Sequence, residues 1–148
     1  MKIKLEVSQK NYEKIEQELI SHGFTIDDDA ELVLSERNQY LDYISCRKET
    51  ISCHISVSEV IYIESFGHAI IIHTASDDYK CSDRLWQLEK ALNPKKFLRI
   101  SNSVIIAKDK VKHIRSALSQ KFILTLSNGS TVDVARTYYY IFKNAFGL

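Results

Sequence analysis

Between residues 39 and 135 the chain is a succession of short apolar or alternating segments, each closed by a polar or glycine-containing turn. No other feature constrains the fold as much. Gln39–Cys46, Ile51–Ser56, Val60–Phe66, Ala69–Thr74 and Asp78–Cys81 read as strands, and so do Phe97–Ile100, Val104–Ala107, Val111–Arg115, Phe122–Leu126 and Thr131–Ala135. Asn128-Gly129 between the last two predicts a hairpin, since both residue types tolerate positive φ. Two helices interrupt this pattern. Ser82-Asp83 caps one in which Leu85, Leu88 and Leu92 recur at helical spacing, stopped by Pro94, the one proline. Arg136 opens the other, with Tyr138, Phe142 and Ala145 on one face.

The first 37 residues read differently. Ile3, Leu5 and Val7 alternate as in a strand, and Ser8 is placed as a helix N-cap. Tyr12, Ile15 and Leu19 share a helical face, Gly23 supplies the stop, and Asp27-Asp28-Asp29 is a loop before a short strand over Glu31–Ser35. The expected organisation is a strand–helix–strand extension over residues 1–37, regulatory or dimerising, followed by a mainly β domain over 38–148. A chain of 148 residues buries roughly 70% of its unfolded surface, so a core is expected without disulfides or metal.

Several functional classes find no support. No apolar run approaches the ~20 residues of a membrane span, and the first twenty residues mix charge and apolarity, which predicts a cytoplasmic protein. Cys46, Cys53 and Cys81 form no C-x-x-C, so they read as small reduced residues on strands. The chain contains no Walker loop, G-x-G-x-x-G or G-x-S-x-G. His54, His68 and His73 are framed by no H-E-x-x-H helix, and His73, inside an apolar strand, reads as a core histidine. The expectation is no enzyme, no cofactor and no metal.

Charge is distributed unevenly. Residues 94–148 hold ten Lys/Arg against two acidic residues, net +8, whereas residues 1–37 carry −4 and residues 38–93 carry −3. A basic third of this kind suits a polyanion. Three polar side chains stand just past strand ends: His68 after Gly67, Asn102 interrupting Phe97–Ile106, and Arg136 closing the last hairpin. These are base-reading types: Arg pairs with guanine O6/N7, Asn with adenine N6/N7, and His donates or accepts. Lys108, Lys110 and Lys112 flank a turn and suit phosphate contact. The competing reading is a protein-interaction or ligand-sensing β module whose basic surface binds no specific DNA sequence.

The segments V-I-Y-I-E-S-F-G-H (60–68), L-W-Q-L-E-K-A-L (85–92), F-L-R-I-S-N-S-V-I-I (97–106) and L-S-N-G…V-A-R-T-Y (126–138) occur in an order that resembles a LytTR DNA-binding domain. The likeness covers roughly 60% of the chain, from Val60 to Phe146. It implies an elongated stack of small antiparallel sheets whose loops enter successive major grooves, with His68, Asn102 and Arg136 on the bases. Arg99 and Ser103 match positions around the second loop, which implies phosphate contact or loop geometry. Two positions depart from the pattern: Ser101 stands where His is frequent, and Ala107 where Asn is common. Residues 1–37 are too short for a receiver domain, so the chain resembles stand-alone regulators. That implies double-stranded DNA and a second protomer as partners, with a membrane-bound inhibitor protein as a further one.

Overall fold

The computed structural model describes residues 1–37 and 40–148, and the chain divides into two compact units at about residue 39. In the first unit, β1 (Lys2–Glu6) leads into α1 (Gln9–Ser21), followed by β2 (Thr25–Ile26) and β3 (Leu32–Ser35). The sheet has the order β2-β1-β3, with both neighbours parallel to β1. The two-residue β2 was not legible in the sequence, because so short a strand carries no periodicity. Ser8 occupies the N-cap position of α1, but its hydroxyl donates to Glu36 Oε1 at 3.0 Å instead of capping a helical N–H. Gly23 (φ 87°) ends the helix as expected: its N–H meets Ile20 O, and the Phe24 N–H reaches back to Leu19 O.

The second unit contains ten strands. β4 (Tyr43–Lys48), β5 (Ile51–Ser56), β6 (Val60–Phe66), β7 (Ala69–Thr74) and β8 (Asp78–Cys81) precede α2 (Leu85–Ala91). After it come β9 (Phe97–Arg99), β10 (Val104–Ala107), β11 (Val111–Ala117), β12 (Lys121–Leu126), β13 (Thr131–Val134) and α3 (Tyr139–Ala145). One antiparallel sheet has the order β5-β4-β8-β7-β6-β10-β9, and a second has β11-β12-β13. β4 starts at Tyr43, later than the pattern suggested, and Gln39 lies outside the described residues. The N-cap of α2 is Arg84, not Ser82-Asp83; its backbone N–H is accepted by Gln87 Oε1 at 2.8 Å.

Two cores explain why β6 and β10 read as unbroken apolar runs. On one face of the large sheet, Val60, Ile63 and Ile105 pack with Ile44, Ile72, the α2 residues Leu85 and Leu88, and Leu92 at the C-cap of α2. On the other, Ile61, Tyr62 and Ile106 pack with Phe122, Leu124, Leu126, Val134 and Phe142. Strands covered on both faces lose the polar alternation of a half-exposed sheet. A register shift between Val60 and Tyr62 lets β6 serve both cores. The α3 face is also corrected: Ala145 is exposed, and Phe146 stacks on Phe142 at 4.5 Å in its place.

Candidate nucleic-acid interface

The strand register collects three loops at one end of the second unit. β10 runs antiparallel to β6 with Val104 opposite Glu64, so β6 ends where β10 begins. The β6–β7 turn, with His68, therefore lies beside the β9–β10 loop, with Asn102. The Ser65 N–H donates to Ser103 O at 2.8 Å and stitches the two together. The third loop is joined through the Ala135 N–H, which donates to Ile100 O at 2.9 Å. That bond sets Arg136, first residue of a short 3-10 turn (Arg136–Tyr138), next to the same loop. His68, Asn102 and Arg136 are all exposed. Residues separated by 34 positions each time along the sequence thus share one rim.

Each loop holds its polar side chain by a different local device. Phe66 pairs with Ala69, leaving Gly67-His68 as a two-residue hairpin turn. Gly67 at φ 60° takes its first central position, where L residues are strained. In the β9–β10 loop the Arg99 guanidinium acts as a clamp. Its Nε donates to Ser101 O at 3.0 Å and its Nη2 to Asn102 O at 2.7 Å, while Nη1 pairs with Glu89 Oε2 of α2 at 2.8 Å. The Ser103 N–H donates to Ser101 Oγ at 3.2 Å, and the Ile100 N–H to Val104 O closes the loop. All of these restrain the backbone around Asn102 and leave its amide outward. The Arg136 turn is held by the Tyr138 N–H to Ala135 O at 2.8 Å and by α3, whose Phe142 is fully buried.

Of the two roles expected for Arg99, the geometry is that of loop organisation: its side chain is 18% exposed and every nitrogen is engaged. Its partner Glu89 could not be found from sequence, because nothing in the helix pattern marks which exposed face of α2 meets a loop ten residues on. His73 is fully partnered, with Nδ1 2.6 Å from Asp78 Oδ1 and Nε2 2.7 Å from Glu64 Oε1. Its ring stacks on Tyr62 at 4.1 Å, so it ties β6, β7 and β8 together. Among the described residues no three His, Cys, Asp or Glu are grouped to hold a metal ion, and no helix is long and apolar enough to cross a membrane.

The family model for the LytTr DNA-binding domain matches residues 52–147, nearly two thirds of the chain and most of the second unit. The chain belongs to the LytTR DNA-binding domain family. It is similar to the transcriptional regulatory protein LytR of Staphylococcus aureus (strain N315), 32% identical over 89 residues, which covers 60% of this chain and 36% of that protein. The sensory transduction protein LytT of Bacillus subtilis (strain 168) is 26% identical over 84 residues, 57% of this chain and 35% of the relative. The chain thus spans about a third of the length of these relatives. Among solved structures, the LytTr DNA-binding domain of a putative methyl-accepting/DNA response regulator from Bacillus cereus superposes with a TM-score of 0.70. It is 20% identical, and the match covers 73% of this chain and 99% of that one, which fixes the mainly β LytTR fold.

Within this LytTR fold the expected lysines do not join the three loops. Lys108 and Lys110 bound a 3-10 turn at the far end of β10 from Asn102, four strand residues or about 13 Å away. The Lys108 N–H donates to Lys96 O and the Ser127 N–H to Lys110 O, which groups them with Lys96 and the Asn128-Gly129 turn. Lys112 follows on β11. Of the basic residues in the last third, Arg115 and Lys121 lie nearer the loop-bearing rim, close to the β11–β12 turn; Lys121 is paired with Asp133 at 2.8 Å. Of the two family departures, Ser101 supplies the hydroxyl that accepts from Ser103, and Ala107 is buried opposite Phe97.

Proposed function

We propose that this protein is a sequence-specific DNA-binding transcription regulator whose three co-located loops enter the major groove, two protomers reading paired half-sites. The observation that carries the reading is the juxtaposition of His68, Asn102 and Arg136 on one rim, joined by the Ser65–Ser103 and Ala135–Ile100 backbone bonds. Arg136 would address a guanine edge and Asn102 an adenine edge, each worth roughly 1–3 kcal/mol of discrimination, with His68 as a third donor or acceptor. Arg99 serves by holding Asn102 in place, so little loop entropy is lost on binding. Ser103 suits a phosphate flanking the reading loops, while Lys108, Lys110 and Lys112, a strand length away, contribute attraction along the duplex.

The test is selection of binding sites from random duplex DNA, followed by salt titrations on the selected site and a scrambled duplex. The reading predicts a specific site bound at least ~10³-fold tighter than the scramble, with affinity falling steeply as salt rises. Arg136→Ala and Asn102→Ala should lower that ratio. Failure to enrich any sequence, with only weak salt-sensitive binding, would overturn it.

A further inference from the structure

The first unit shows little core of its own. Among its described residues only Leu5 is buried, α1 buries none, and domains below about 40 residues usually need disulfides, metal or oligomerisation. Its unmet surface is concentrated on one strand. β3 is a sheet edge whose four residues are all exposed, with Leu32 and Val33 at 51% and Leu34 at 40%. Beside it a groove of about 450 Å³ between α1 and β3 is lined by Ile15, Leu19, Phe24 and Leu34 together with Glu18 and Glu36. An uncharged apolar edge of this kind is a template for another strand.

We infer that β3 pairs antiparallel with β3 of a second copy, extending the sheet across a two-fold axis at Leu34. The backbone itself restricts the register. The Glu36 N–H donates to Glu6 O, so the even-numbered residues of the strand bond to β1 and the N–H and C=O groups of Val33 and Ser35 face the open edge. Antiparallel pairing must then match odd residues with odd ones. Val33 opposite the partner's Ser35 is the register that uses both open-edge residues of β3. It sets Leu34 against the partner's Leu34 in the close, non-hydrogen-bonded position. Leu34 lies on the α1 side of the sheet, so the two side chains meet over the grooves.

The same register supplies charge complementarity. Glu31 and Arg37, both exposed, fall opposite each other across the axis, giving two Glu–Arg pairs at the ends of the strand pair, while Glu36, held by Ser8 and Asn11 of its own protomer, faces the partner's Leu32. The interface is isologous and closes on itself, as a dimer requires. It deepens the paired-half-site reading by naming the surface that joins the protomers, and it is measured without DNA, so either can fail alone.

The experiment is sedimentation equilibrium of the full chain and of its charge variants. The wild type should dimerise. Glu31→Arg and Arg37→Glu should each weaken self-association about tenfold, because each puts like charges at both ends of the strand pair. Mixed together, the two variants should form a heterodimer, since every end pair is again Glu with Arg, and the doubly exchanged chain should dimerise like the parent. A monomeric wild type, or a dimer indifferent to all three changes, would overturn the assignment. These surface exchanges remove no buried group, so loss of folding does not confuse the result.

Discussion

Replacing Arg99 by Ala tests whether DNA reading depends on a loop clamp or on one more cation at the phosphates. The change removes two hydrogen bonds to backbone carbonyls, at 3.0 and 2.7 Å, and one ion pair to Glu89. Hydrogen bonds from a charged donor are worth about 1.5–3 kcal/mol when buried. Here the freed carbonyls gain water, so about 1 kcal/mol each is the fitting figure. Glu89 is 47% exposed, and an ion pair of that kind contributes little. A loop less well ordered by ~2 kcal/mol lowers specific affinity roughly 30-fold, since 1.4 kcal/mol is a factor of ten. The assay is fluorescence-anisotropy titration of the selected and scrambled duplexes across a salt series. A clamp predicts loss on the selected site, little change on the scramble, and an unaltered salt slope. A phosphate contact predicts equal loss on both and a slope smaller by about 0.9. Glu89→Gln sharpens the comparison: it leaves the carbonyl bonds intact and should hardly alter specificity. If it strengthens binding to both duplexes, Arg99 is a phosphate ligand and the clamp is refuted.

Other outcomes follow from single sites. Gly67→Ala places a side chain at φ 60°, which costs about 1–2 kcal/mol in the β6–β7 turn; thermal denaturation should show the loss. Burial raises the Cys46 thiol to about 11 and also pushes up Cys81, so a thiol reagent at neutral pH should label the partly exposed Cys53 first. Because the Cys46 value lies above its unfolded value of 9.0, this contribution is complete below pH 9 and fades by about pH 11. Asp27, held down by the Asp29 N–H and by Lys2, and Glu36, held down by Asn11 and Ser8, behave oppositely. Their folded values lie below the unfolded ones, so their stabilisation is present above the ordinary carboxylate range and lost as pH falls through it. Protection of residues 1–37 against hydrogen exchange, measured relative to the intrinsic rate at each pH, should fall on acidification through that range, and pH-independent protection there would exclude the linkage.

Strand and helix identities were legible because the signals that encode them are local. Ile51–Ser56, Val60–Phe66, Ala69–Thr74, Asp78–Cys81 and Val104–Ala107 carry their apolar patterns and turn residues within a few positions, and the strands take those bounds. The three candidate reading residues were visible for the same reason: a polar side chain just beyond a strand end marks a loop whatever the rest of the chain does. Tertiary structure decided which loops meet and what holds them. Only the antiparallel register of β6 with β10, and the Ala135–Ile100 bond, bring His68, Asn102 and Arg136 to one rim and leave Lys108 and Lys110 at the other end of β10. Net charge sums over positions and carries no direction, so a +8 segment could not show that its cations divide between two ends. The engagement of Arg99 by Glu89, and the choice of Phe146 over Ala145 for the α3 face, depend on packing between elements, where no short-range pattern carries the information.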